Sequence, residues 1–232
     1  SGAPCGRPGA GLPWRAPQPP ASRPPPVPPA QLTCQHLQSG DVLLKLNAGS
    51  AVNTMIQLAQ AAVGDEFPNV VHAGVLFDPH YIIEASGGGI HANDLRVGNR
   101  AFEYVVYRCT DPAVAAGAGT YAKVVLDIHA EHHSVGYNLL GGLRALLPGG
   151  RGAAPSRSAM DARLDAMLAG QNRPNFCSQF VVAVYQFAAE QNGRAAATVF
   201  DACDAVVPSR LLSLLRRTQA FRQVGYLASG VR

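Results

Sequence analysis

The chain lacks any apolar run approaching the ~18 residues that spanning a bilayer requires. No positively charged, apolar leader opens it, although a leader already removed would leave no trace. Charge is scarce as well: 19 basic residues against 15 acidic give +4 over 232 residues, too little and too scattered to indicate nucleic acid. The densest basic group, Arg210 with Arg216 and Arg217, reads as the solvated face of a Leu-rich helix, compatible with weak contact to an anionic membrane surface or cell-wall polymer. Five cysteines, Cys5, Cys34, Cys109, Cys177 and Cys203, include no CxxC pair and are odd in number. A disulfide framework is therefore not indicated, and the compartment is left open.

Proline is abundant but confined. Residues 1–31 hold 11 of the 18 prolines and almost no aliphatic side chains. Such a segment buries too little surface to offset chain entropy, so it reads as a disordered or polyproline II linker. About 200 residues remain, 32–232, enough for one substantial core. A chain that begins at serine behind a linker is expected of a processed form, or of a module attached to an upstream partner.

Chemistry is suggested first by Asn175-Phe176-Cys177-Ser178-Gln179-Phe180-Val181-Val182. Arg173-Pro174 blocks helix upstream, Asn175 is a good N-cap, and Gly193 is a natural stop. Phe180, Val181, Val184 and Ala188 share the face of Cys177 by helical spacing, which turns the thiol toward the core side in the first turn. Unpaired backbone N–H groups and the helix dipole there stabilise an anion, the setting that makes a thiol nucleophilic. On this helix alone a small buried core cysteine is the commoner outcome.

A histidine changes the balance. Val70–Phe77 is an apolar run interrupted by His72, and Tyr81–Ala85 follows after Asp78-Pro79-His80, so the two read as a hairpin. An imidazole in such a strand needs a hydrogen-bond partner, and Glu84 in the second strand is placed to supply it. Cysteine, histidine and carboxylate together meet the needs of thiol acyl transfer.

Gly40-Asp41-Val42-Leu43-Leu44, His72-Ala73-Gly74-Val75, Ile83-Glu84-Ala85 and Cys177-Ser178-Gln179-Phe180-Val181, in that order, resemble the circularly permuted papain-like amidases of the NlpC superfamily, the YiiX- and YaeF-like bacterial group. Histidine before cysteine is the mark of the permuted branch. Gly136-Tyr137-Asn138 and Val207-Pro208-Ser209-Arg210-Leu211 match further segments, and the resemblance covers about residues 37 to 227. Gln179 departs from the glutamate often found there, and the long insertion between Tyr137 and Cys177 departs too. The resemblance implies an α+β fold, with a small antiparallel sheet packed against a helix carrying the catalytic cysteine.

It also implies a cysteine amidase or peptidase-like hydrolase without cofactor. Cys177 is its nucleophile, His72 its base and Glu84 the residue orienting His72. The oxyanion donors are expected to be the Cys177 N–H and a second group near Gly40-Asp41 or Tyr137. The substrate class is a peptide or peptidoglycan-type amide, which fits a secreted or periplasm-directed bacterial effector with an immunity protein as partner. A second reading keeps the chemistry but takes a lipid ester, as a phospholipase or acyltransferase, with Leu139-Leu140 and Ala145-Leu146-Leu147 lining an acyl groove. A third is a binding module that lost the reaction.

The remaining elements are expected as a strand over 41–47, a helix over 50–63, a strand over 103–109, and helices over 112–132, 156–168 and 208–217. A last strand covers 221–227. Gly87-Gly88-Gly89 reads as the hairpin's flexible exit. His129 and His133 lie one helical turn apart, a zinc-compatible spacing with no third ligand apparent, so no metal site is expected. His80 and His91 read as surface histidines near the proposed site.

Overall fold

The computed structural model describes residues 30–47, 67, 69–86, 89–131, 176–201 and 207–230. The Pro-rich segment to residue 29, the expected helices over 50–63 and 156–168, His133, Tyr137 and the insertion lie outside these residues.

Among the described residues seven strands form one sheet: β1 (Gln31–Leu32), β2 (Val42–Leu46), β3 (Val70–Leu76), β4 (Tyr81–Ser86), β5 (Gly89–Asp94), β6 (Tyr104–Cys109) and β7 (Phe221–Leu227). Their order across the sheet is β1-β7-β6-β2-β3-β4-β5. Every pairing is antiparallel except that of β1 with β7. Among the described residues three α-helices accompany it: α1 (Pro112–Glu131), α2 (Phe176–Gln191) and α3 (Pro208–Arg217). The class is α+β. The sheet, however, is neither small nor purely antiparallel, because β1 and β5 extend it at its two edges. Gln31, expected to end the linker, already pairs with Tyr226. Gly89, expected to close the hairpin, begins β5 at φ 111°.

Both faces of the sheet are covered, and the alternation along each strand says with what. Val42, Leu44, Ala73, Val75, Ile83 and Ala85 face a core shared with all three helices. Leu43, Leu76, Ile82, Tyr104, Val106 and Leu227 point the other way, under Leu32, Cys34, Leu37 and Leu95. α2 lies against β3 and β4 and against α1. Its apolar residues run almost all round, from Phe180 to Ala189, as a central helix requires.

Local chemistry sets the helix ends. Asp111 Oδ1 accepts the N–H groups of Ala113 and Val114, capping α1, and Pro112 fills the first helical position. α2 stops where Gly193 turns left-handed at φ 69°, with the Arg194 N–H returning to the Ala189 carbonyl. α3 begins at Pro208, which holds Val207 extended.

Candidate thiol–imidazole site

Cys177 is the second residue of α2 and is buried, 6% exposed. Its N–H is among the first four of the helix, which intrahelical bonding leaves unsatisfied. The packing of α2 on β3 and β4 sets this helix against the two strands that carry His72 and Glu84. There β3 and β4 part company: their pairing stops at Gly74 opposite Glu84, while β4 continues to Ser86 along β5. The Ala73 N–H, freed from the ladder, hydrogen-bonds the thiol instead, and the His72 side chain hydrogen-bonds it as well. Ser178 Oγ lies 3.8 Å from the sulfur.

Glu84 is buried on the strand next to His72 and presents Oε1 to the ring Nε2 at 3.5 Å. That separation is an electrostatic contact rather than a hydrogen bond. With Nε2 turned to the carboxylate, Nδ1 is the nitrogen left for the sulfur. The structure thus gathers Cys177, His72 and Glu84 from α2, β3 and β4 into one cluster.

The electrostatics follow from this arrangement. Burial pushes the Cys177 thiol up, but the His72 charge and hydrogen bond, the Ala73 N–H and the Ser178 hydroxyl outweigh it and leave the thiol below its ordinary value. Burial likewise works against a charged His72. The Cys177 thiolate, its hydrogen bond and Glu84 prevail over burial and over the opposing charge of Lys45, so the imidazole is raised. Both shifts favour thiolate and imidazolium over thiol and neutral ring.

Three further residues complete the surroundings. Glu84 Oε2 accepts hydrogen bonds from Asn93 Nδ2 at 2.7 Å and Asn99 Nδ2 at 3.0 Å. Lys45 stands opposite His72 in the β2–β3 register with its ammonium over the Phe102 ring, and burial lowers its pKa against the pull of Glu84. Sequence reasoning missed all three. Asn93 had a signal: once Glu84 pairs with His91, the residue two further along β5 shares the Glu84 face. Asn99 had none, because it reaches Glu84 from the turn after β5.

Other expectations fall away from the cluster. Gly40-Asp41 is not beside Cys177, so it does not provide the second oxyanion donor. The Gly40 N–H is spent on the Leu76 carbonyl, at the opposite end of β3 from His72. The Gly40 carbonyl accepts from Tyr185, two turns along α2. Asp41 is fully buried in an ion pair with Arg108. His91 is exposed on the Glu84 side of β5, and His80 lies in the turn between β3 and β4. A cleft of about 420 Å³ between Val199–Asp201 and α3 contains none of the three clustered residues. Among the described residues, no group of His, Cys, Asp and Glu is arranged to hold a metal ion.

No family model, curated protein or solved structure matches this chain.

Proposed function

We propose that this protein is a cysteine hydrolase of the circularly permuted papain-like kind, cleaving an amide bond through a thioester acyl-enzyme. The observation that carries the reading is the Cys177 thiol. It is buried at the start of a helix, hydrogen-bonded to His72 and held below its ordinary pKa. A structural core cysteine in apolar surroundings would shift the other way. Cys109 does so here: burial raises its thiol.

The thiolate attacks the amide carbon, and the carbonyl electrons move onto oxygen. The Cys177 N–H, at the positive end of α2, faces that developing charge. His72, as imidazolium, gives its proton to the leaving nitrogen as the C–N bond breaks. The neutral ring then takes a proton from water, which attacks the thioester and restores the thiolate. Glu84 balances the imidazolium charge. An amide supports this assignment better than an ester, because an amine is a poor leaving group until protonated and a raised imidazole keeps the required proton. Peptide or peptidoglycan-type substrates fit that chemistry, with lipid esters as the alternative. Delivery as a bacterial effector, paired with an immunity protein, is part of the same reading.

Cys177→Ala is expected to abolish release of soluble muropeptides from purified peptidoglycan while the thermal unfolding curve stays in place. Fatty-acid release from phospholipid vesicles by the wild-type protein, without muropeptide release, would transfer the site to lipid esters. A Cys177→Ala protein as active as wild type ends the thiol reading altogether.

A further inference from the structure

Glu84 is 5% exposed, yet among the described residues the only ion-pair contact it makes is with His72. Its two oxygens are treated differently. Both amide donors, from Asn93 and Asn99, converge on Oε2, whereas Oε1 has no hydrogen-bond partner among the described residues and is aimed at the imidazole. The donors arrive by separate routes. Asn93 is on β5, one step along the shared face from His91, the partner of Glu84. Asn99 is carried back by the turn that follows, which is tied by the Asn99 N–H to the Asp94 carbonyl and the Phe102 N–H to the Asn99 carbonyl.

We propose that Asn93 and Asn99 are positioning residues of the thiol site: by anchoring one oxygen of Glu84 they turn its other oxygen to His72. This rests on Cys177 being the nucleophile and adds two residues that act through Glu84 without touching substrate. Two N–H donors on one oxygen fix the plane of the carboxylate, which leaves the other oxygen directed at the imidazole. Freed of both amides, a buried carboxylate would rotate toward other hydrogen-bond donors. The charged groups facing His72 are Cys177 from α2, Glu84 from β4 and Lys45 from β2. Glu84 is the one of these whose orientation the asparagines control.

The test needs no substrate. Iodoacetamide alkylation of the full chain is followed against pH, with the Cys177 peptide read by mass spectrometry, in wild type, Asn93→Leu, Asn99→Leu, Glu84→Gln and Asn93→Leu/Glu84→Gln. In wild type the midpoint should lie below the ordinary thiol value of about 8.5. Glu84→Gln and each asparagine variant should raise it, by up to about one pH unit. Asn93→Leu should add nothing once Glu84→Gln is present. Asn93 is only half-buried, so Asn93→Leu decides the matter should Asn99→Leu fail to fold. A depressed wild-type midpoint that a folded Asn93→Leu protein leaves unmoved overturns the positioning role and spares the nucleophile. An ordinary midpoint in wild type removes the nucleophile, and the positioning role with it.

Discussion

His72 stands among charges of both signs, and its state decides whether the site holds a thiolate. Its folded pKa is raised, so its contribution to stability is complete below the ordinary imidazole value near ~6.5 and is lost as pH rises through the folded value. Cys177 is lowered, so its contribution is complete above the ordinary thiol value near ~8.5 and is lost as pH falls through the folded value. A rate that needs thiolate and imidazolium together should be bell-shaped in pH. Lys45 opposes the imidazolium. Lys45→Met should move the alkaline limb of the profile to higher pH, by about half a unit, and Lys45→Arg should leave it in place. NMR titration of the His72 ring checks the same shift without a substrate; an unchanged or lower ring pKa in Lys45→Met would count against it. The pairing of Cys177 with His72 was an expectation built from a cysteine at a helix start, a histidine in an apolar strand and the family resemblance that joins them. Lys45 was not readable, because a lysine near a strand end ordinarily faces solvent. Only the register that sets it opposite His72 gives it a role.

At the scale of elements, the contact between α1, α2 and the turn before β2 fixes the helix that carries the thiol. Gly40 lies in that turn at φ 84°, where a Cβ would sit 2.1 Å from the Ala115 carbonyl oxygen of α1. Its own carbonyl accepts the hydroxyl of Tyr185 from α2. Gly40→Ala therefore combines an unfavourable backbone conformation with a backbone clash, and should cost about 3 kcal/mol in urea unfolding. A loss below about 1 kcal/mol would mean α1 yields easily. The sequence motif containing Gly40 looked like part of the chemistry. Its close packing against two helices is instead a structural demand, one that a linear pattern does not distinguish from catalysis. The helices themselves were legible, because Asp111-Pro112, Gly193 and Val207-Pro208 are local punctuation that acts within a few residues. β5 escaped for the opposite reason: Gly87-Gly88-Gly89 announces a turn, and the short run after it gains its strand character from β4 alongside.

Across the whole molecule, the sheet is tied together by a buried ion pair between strands that are adjacent in space and distant in sequence. Asp41, just before β2, accepts Arg108 Nε and Nη2 of β6 at 2.7 Å each, together with the Gln38 N–H at 2.9 Å. Arg108 Nη2 also donates to the His36 carbonyl at 2.8 Å. Arg108→Met would leave a fully buried carboxylate without its cation and should cost about 3 kcal/mol or more. Chemical denaturation measures this directly, and a near-neutral result would show that water reaches Asp41 once the arginine is gone. The sequence by itself determined the helix ends, the main strands, and the residue types from which a thiol site can be built, because caps, prolines and apolar periodicity act locally. Tertiary structure alone decided that β3 and β4 diverge beside Cys177, that Asp41 serves the sheet instead of the site, and that two asparagines orient Glu84. Each of those outcomes depends on strand register and on which element covers which face, and these are fixed only when segments far apart in the chain bury their apolar surfaces together.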